Sequence, residues 1–151
     1  MKTNETYAVS EKERAHRAFV KFHPRLFWLF EPEETAFVAN MLYLAYIRQA
    51  GGKTVYSKRE LMEYMNMGER VFERCVSLMT GMGLLERKRK GNKFDYRWDM
   101  KAYGRLLDIL YMWKSPAYKS KIRKFLEENF FIKKRTVLSI SVREVRTSLE
   151  P

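Results

Sequence analysis

Residues 57–98 read SKRELMEYMNMGERVFERCVSLMTGMGLLERKRKGNKFDYRW, and this stretch decides the fold. Ser57 and Glu60 have the spacing of a capping box, which predicts a helix beginning after Ser57. The Asn-Met-Gly sequence at 66–68 predicts a tight turn. A second helix is expected over about 69–82. The apolar residues that recur in it at helical spacing, and should face the core, are Phe72, Cys75, Val76 and Met79.

The periodicity of the sequence changes after Gly83, a residue suited to end the second helix. In residues 93–98 the aromatic side chains alternate with charged ones, which is the period-two pattern of a half-buried strand. Gly91-Asn92 suits the turn between this strand and the basic run before it. A β-hairpin is therefore expected to follow the second helix.

Other elements are predicted on both sides of this stretch. A long apolar helix should begin at Pro32 and end before Gly51-Gly52, and the KTVY sequence at 53–56 is a candidate strand. We divide the chain into an N-terminal extension and helix (1–31), a central domain (32–99), C-terminal helices (100–132) and a tail or short strand (133–151).

Details of the flanking segments are predicted from caps and spacing. Ser10 with Glu13 predicts a helix in the N-terminal extension, and Ser115-Pro116 predicts the start of a C-terminal helix. In the tail, Leu138, Ile140 and Val142 alternate with polar residues, which is typical of a strand, although a frayed tail fits the pattern equally well. The aromatic residues expected in the core are Phe27, Trp28, Phe30, Phe94, Tyr96 and Trp98.

The order helix, strand, capped helix, tight turn, helix and hairpin in residues 32–99 resembles the winged helix-turn-helix superfamily. This resemblance implies a mainly α fold class with a small β-hairpin wing, extended here by N- and C-terminal helices. The approach through FVKFHPRLFWLF, residues 19–30, is also similar to phage and plasmid replication-initiator and replisome-organiser domains. Double-stranded DNA is the partner that both resemblances imply.

The charge of the chain favours the same partner. Lys and Arg number 30 against 18 Asp and Glu, so the formal net charge is +12, which attracts polyanions. Residues 86–93 read ERKRKGNK, with five positive charges against one negative, at the position where a wing would contact phosphates. The wing should supply most of the affinity. The predicted DNA-binding residues are Lys58, Arg59, Arg70, Arg74, Ser77, Arg87, Lys88, Arg89, Lys90, Asn92 and Lys93.

Within that set, Arg70, Arg74 and Ser77 lie opposite the apolar stripe of the second helix and are the candidates for base readout in the major groove. Glu69 and Glu73 depart from this pattern because a carboxylate opposes phosphate, unless Glu73 accepts from a cytosine amino group. Leu78 is expected to be exposed on the same helix. These three residues favour an alternative function, a protein–protein interaction module built on the winged-helix scaffold.

Other functions find less support in the sequence. There is no catalytic constellation, phosphate-binding glycine loop or metal-ligand spacing, so we expect a non-enzyme that needs no cofactor and no metal. Cys75 is the single cysteine, and neither a secretory signal nor a membrane span is evident, which favours the cytoplasm. A homodimer through the C-terminal helices is possible. Its candidate surface, for which a core role is favoured, comprises Tyr103, Leu106, Leu107, Leu110 and Tyr111.

Overall fold

The computed structural model describes residues 23–112 and 118–150. The predicted helix after Ser10 and the predicted cap at Ser115-Pro116 lie outside these residues. The helices are α1 (Pro32–Gln49), α2 (Lys58–Met65), α3 (Glu69–Gly81), α4 (Met100–Tyr111), α5 (Lys119–Leu126) and α6 (Val142–Leu149). The strands are β1 (Val55–Tyr56), β2 (Leu85–Lys90) and β3 (Lys93–Trp98). Short 3-10 helices span Pro24–Trp28 and Val137–Ser139, and a π-helical turn spans Glu127–Ile132.

Helix α1 is central, as the sequence predicted. Pro32 occupies its first turn, and the backbone N–H of Glu31 donates to the carboxylate of Glu34 at 2.9 Å to close a capping box. The fully or nearly fully buried side chains of α1 include Phe37, Val38 and Met41. A helix buried over so much of its surface provides the platform on which the other elements pack.

The helix–turn–helix unit forms from local signals. Ser57 Oγ accepts from the backbone N–H of Glu60 at 3.0 Å, and the Glu60 carboxylate accepts from the backbone N–H of Ser57 at 2.9 Å. Helix α2 ends at Asn66, whose φ of 53° is left-handed and turns the chain toward α3. Helix α3 then buries the four predicted residues, so both helices and the turn are confirmed.

The sheet is antiparallel, with strand order β1-β3-β2. Arg87 pairs with Tyr96 and Arg89 with Phe94, so these four side chains share the face of the sheet that contacts the core. Lys88 lies on the opposite face. The β2–β3 hairpin is therefore confirmed, and its basic residues are divided between the two faces.

The structure decides between alternatives in the C-terminal half. Tyr103, Leu106 and Leu110 are buried, which is the core role that the sequence favoured over a dimer surface, whereas Tyr111 of the same set is exposed. A homodimer through the C-terminal helices stays a prediction. The tail is not a strand: Ser141 caps α6 by accepting from the backbone N–H of Glu144 at 3.0 Å. The tail residues that enter the core are Val137, Ile140 and Val145, whereas Leu138 is exposed.

Among the aromatic residues expected in the core, Phe27 departs most clearly because 46% of its surface is exposed. Phe30, Tyr96 and Trp98 are buried, and Trp28 and Phe94 are partly buried against the core. In the part of the chain that the structure describes, no helix is long and apolar enough to cross a bilayer. The same residues contain no group of three or more His, Cys, Asp or Glu side chains that could hold a metal ion.

Gly83 is required where the C-terminal segment crosses the end of α3. Its φ is +77°, and the backbone N–H of Leu84 donates to the Met79 carbonyl at 2.9 Å, which is the pattern of a Schellman cap. The N–H of Val137 donates to the Met82 carbonyl at 2.8 Å beside it. A Cβ at position 83 would lie 3.2 Å from the Cβ of Thr136.

We therefore expect Gly83→Ala to lower the free energy of unfolding by about 1–2 kcal/mol, because alanine is strained at this φ. Gly104→Ala is the matched control, since Gly104 lies inside α4 with open space around it. That change should raise stability by about 0.5–1 kcal/mol. Urea unfolding measures both, and equal effects of the two variants would contradict the role of Gly83.

Candidate nucleic-acid interface

The candidate interface consists of the exposed side of α3, the start of α2 and the β2–β3 hairpin. Because α3 buries one stripe, its opposite side leaves Arg70, Arg74 and Ser77 exposed. Asn92 is exposed in the hairpin turn, where Gly91 has a φ of +67°. The surface therefore combines a helix that presents polar side chains with a hairpin that carries a basic tip.

A chain of ion pairs links α2, α3 and β2. Lys58 Nζ lies 2.8 Å from Glu69 Oε2 and 3.0 Å from Glu73 Oε1, and the Arg87 guanidinium lies 3.6 Å from the same Glu73 oxygen. The hydrogen bonds that Lys58 donates to Glu69 and Glu73 raise the pKa of Lys58, and the bond to Glu69 lowers the pKa of that carboxyl. Two of the predicted DNA-binding cations are thus held by carboxylates of α3.

The hairpin arginines are oriented by an aromatic ring. The Arg87 guanidinium carbon lies 4.7 Å from the centroid of the Phe94 ring, and that of Arg89 lies 5.8 Å from it. Arg89 Nε also donates to the Gly91 carbonyl at 2.9 Å. These contacts limit the freedom of both arginines on the face of the hairpin that carries Phe94, where Arg87 is partly buried and Arg89 is exposed.

Lys93 and Arg59 also form ion pairs, each with a carboxylate of α2. Lys93 Nζ lies 3.7 Å from Glu60, which is also hydrogen-bonded to Lys53. The hydrogen bonds from Lys53 and from the Ser57 backbone lower the pKa of Glu60 to about 2. Arg59 lies 3.7 Å from Glu63 in an exposed pair one helical turn apart.

The two arginines of α3 do not act as a pair. Arg74 lies 3.3 Å from Glu33 and 3.8 Å from Glu34, so it is directed toward the N-terminal end of α1. Arg70 makes no ion pair with any residue in the ranges 23–112 and 118–150. Of the three residues of α3 that were predicted to read bases, Arg70 and Ser77 are therefore free to contact a ligand, whereas Arg74 is paired with carboxylates of α1.

The cations of the hairpin also differ in whether a carboxylate lies close to them. Within the described residues, Arg89 and Lys90 have no carboxylate within ion-pair distance, and Lys88 has only the exposed Glu86 at 3.5 Å. Exposed pairs of this kind are worth little in water. The cations best able to accept a polyanion are therefore Arg70, Lys88, Arg89 and Lys90.

Sequence reasoning missed two charged contacts that position this site. Arg48 forms an ion pair with Asp95, whose side chain is only 8% exposed, and thereby joins the end of α1 to β3. Burial is the main cause that lowers the pKa of Arg48. The sequence indicates that Glu73 opposes phosphate or contacts a protein partner, whereas in the structure it bridges Lys58 and Arg87. Neither contact could be inferred from spacing, because each joins residues far apart in the sequence.

A cavity of about 480 Å³ lies beside the C-terminal half of α3. It is lined by Arg74, Ser77, Leu78, Gly81, Met82, Phe130, Phe131 and Lys134. Leu78 is half-buried against this cavity, so the prediction that Leu78 is exposed is only partly right.

No family model, curated protein or solved structure matches this chain.

Glu60 provides a test of the ion pairs beside the hairpin. Its pKa is lowered in the folded state, so its contribution to stability is complete above its ordinary value of about 4.5 and is lost as the pH falls toward 2. We expect Glu60→Gln to lower the melting temperature at pH 7 and to flatten the loss of stability between about pH 4.5 and pH 2. Thermal melts followed by circular dichroism at stepped pH measure this effect.

Glu63→Gln is the control for that experiment, since it removes a carboxylate from α2 outside the capping box. It should keep the acid dependence of the wild-type protein. If stability fell by the same amount between about pH 4.5 and pH 2 in the wild type and in Glu60→Gln, the ion pairs of Glu60 with Lys53 and Lys93 would not contribute to the acid dependence.

Proposed function

We propose that this chain is a cytoplasmic, non-enzymatic protein that binds duplex DNA through a winged helix-turn-helix domain over about residues 32–99. One observation carries the proposal: the basic tip of the β2–β3 hairpin follows directly after a helix–turn–helix unit whose second helix is exposed on one side. The order α1, β1, α2, α3, β2 and β3 supports the assignment of this superfamily.

In the proposed complex, α3 enters the major groove. An α-helix fits this groove, where each base pair presents a distinct set of donors and acceptors. Arg70 and Ser77 are the side chains that can reach base edges, since Arg74 is held by Glu33 and Glu34. The hairpin cations Lys88, Arg89 and Lys90 contact phosphates and release counterions, which supplies most of the affinity.

The ion pairs of Glu73 oppose the binding of phosphate to Lys58 and Arg87. A phosphate that approaches Lys58 or Arg87 must compete with the Glu73 carboxylate for the same cations. Because these groups are partly exposed, the competition is modest and the carboxylate can be displaced. Duplex binding of this kind serves either a transcriptional regulator or a replication-initiation factor of a mobile element, and both are consistent with the proposal.

The cavity beside α3 favours a second candidate function, a protein–protein interaction module. Leu78, Met82, Phe130 and Phe131 supply an apolar lining that a partner side chain could fill. The two functions differ in their dependence on salt. Binding to DNA weakens steeply as salt is added, whereas an apolar protein interface hardly responds.

Reversing the charge of the hairpin tests the main proposal. For Lys88→Glu/Lys90→Glu we expect at least about a tenfold weaker affinity for random-sequence duplex DNA, and a salt slope reduced by about two. The measurement is fluorescence anisotropy at several salt concentrations. Arg143→Glu/Arg146→Glu is the matched control, because it changes the net charge equally at exposed positions of α6.

The proposal fails if folded wild-type protein does not bind the duplex at low salt. It also fails if both double variants lose the same affinity, because the effect would then report net charge and not the hairpin.

Glu73→Gln tests the competition between the carboxylate and phosphate. Removing this charge frees Lys58 and Arg87, so we expect duplex affinity to rise about two- to fivefold in the same assay. Glu63→Gln, which removes one negative charge from α2 away from Lys58, should raise it less. A lower affinity in Glu73→Gln would instead show that Glu73 accepts a hydrogen bond from the DNA.

A further inference from the structure

A second surface combines exposed aromatic rings with cations, and it contains none of the residues assigned to the duplex interface. It is formed by the 3-10 helix Pro24–Trp28, the end of α4 and the start of α5. We call it the aromatic–cation ladder. Its members are Arg25, Trp28, Tyr111, Tyr118, Lys119 and Lys121.

Rings and charges alternate from Tyr111 to Lys119, and Tyr118 with Lys121 adds one more ring and charge at the start of α5. The Arg25 guanidinium carbon lies 4.2 Å from the centroid of the Tyr111 ring and 4.9 Å from that of the Trp28 ring. Lys119 Nζ lies 5.1 Å from the Trp28 ring, and Lys121 Nζ lies 5.8 Å from the Tyr118 ring. Arg25 also donates to the Leu110 carbonyl at 2.9 Å, which fixes the guanidinium between the two rings.

Two rings of the ladder are exposed to solvent even though they are large and apolar. Tyr111 is 44% exposed and Tyr118 is 39% exposed, whereas Tyr96 and Tyr103 are buried. Exposure of two aromatic side chains at neighbouring element ends leaves ring surface that a ligand could cover.

The charge of the ladder is positive. Lys119 and Lys121 have no carboxylate within ion-pair distance among the residues that the structure describes, and each lies over a ring. An aromatic ring attracts a cation without neutralising it. The surface therefore offers positive charge for phosphates and ring faces for flat, uncharged groups at the same place.

We propose that the aromatic–cation ladder binds single-stranded DNA. Single strands are bound without sequence preference by surfaces that combine cations along the backbone with aromatic rings on which bases stack. A duplex cannot use such rings, because its bases are already stacked and paired inside the helix. Lys119 and Lys121 would contact phosphates, and Tyr111 and Tyr118 would stack on bases. The choice of DNA over RNA rests on the proposed function, whereas the stacking and the charge do not.

The test uses the full chain and a labelled oligothymidylate of about 15 nucleotides, which forms no duplex, with fluorescence anisotropy as the readout. Tyr111→Ala should weaken binding about five- to hundredfold, which is the range for one lost base stack. Tyr111→Phe should keep most of the affinity, because the ring face remains. Lys119→Glu/Lys121→Glu should weaken binding at least about tenfold without removing any ring.

Tyr64→Ala is the matched control. Tyr64 is 47% exposed on α2, and its ring stacks on Tyr43 at 5.9 Å, outside the ladder. Its removal should leave oligothymidylate binding unchanged. Photocrosslinking of a bromodeoxyuridine oligonucleotide, followed by mass spectrometry, should place the crosslinks on peptides that contain Trp28, Tyr111 or Tyr118.

The two proposals can fail separately. Lys88→Glu/Lys90→Glu should lose duplex affinity and keep binding to oligothymidylate, whereas Tyr111→Ala should do the reverse. The ladder proposal would be overturned if Tyr111→Ala and Lys119→Glu/Lys121→Glu both folded and kept the wild-type affinity for oligothymidylate. Crosslinks confined to the β2–β3 hairpin would also overturn it. Tighter binding of an oligouridylate of equal length would overturn the assignment to DNA.

Discussion

The contact between Phe37, Phe72 and Tyr96 is the constraint on which the rest of the structure depends. The rings of Phe37 and Phe72 meet edge to face at 6.0 Å, and those of Phe72 and Tyr96 at 6.4 Å, so one ring joins α1, α3 and β3. Phe37 and Phe72 are completely buried, which stabilises the fold by about 1.5–3 kcal/mol for each side chain. Because this contact fixes which side of α3 faces inward, it also determines that Arg70 and Ser77 face outward, and it holds the hairpin beside them.

The charge of the candidate interface is smaller than its composition indicates. Lys58, Arg87 and Lys93 are each paired with a carboxylate of α2 or α3, and Arg74 is paired with α1. These pairs are exposed or partly exposed, so each contributes little to stability, but each orients a long side chain that would otherwise be free. The net charge of +12 therefore overstates the number of cations that meet a polyanion without competition. At the candidate interface the structure limits that set to a few residues of the hairpin and Arg70.

The sequence predicted the elements that depend on local signals and failed where distant residues meet. The capping box of Ser57 and Glu60, the left-handed turn at Asn66 and the hairpin turn at Gly91 are each encoded within four residues. The prediction of a strand in the tail was wrong because Leu138, Ile140 and Val142 alternate with polar residues, whereas Ser141 caps a helix and the buried residues are Val137, Ile140 and Val145. The Arg48–Asp95 pair, the links of Glu73 and the aromatic–cation ladder all join residues from separate elements, so no periodicity could reveal them.

The two proposed surfaces would respond differently to ionic strength. Binding by the hairpin depends on the release of counterions from a duplex, whose charge density is high, so its affinity falls steeply with salt. A single strand releases fewer counterions for each phosphate contacted, and stacking on Tyr111 and Tyr118 adds an uncharged contribution that salt does not screen. Rising salt should therefore shift the preference of the chain from duplex toward single strand. A protein that relied on charge alone would lose affinity for both ligands as salt is added, so binding to the single strand that persists at high salt would report the contribution of stacking.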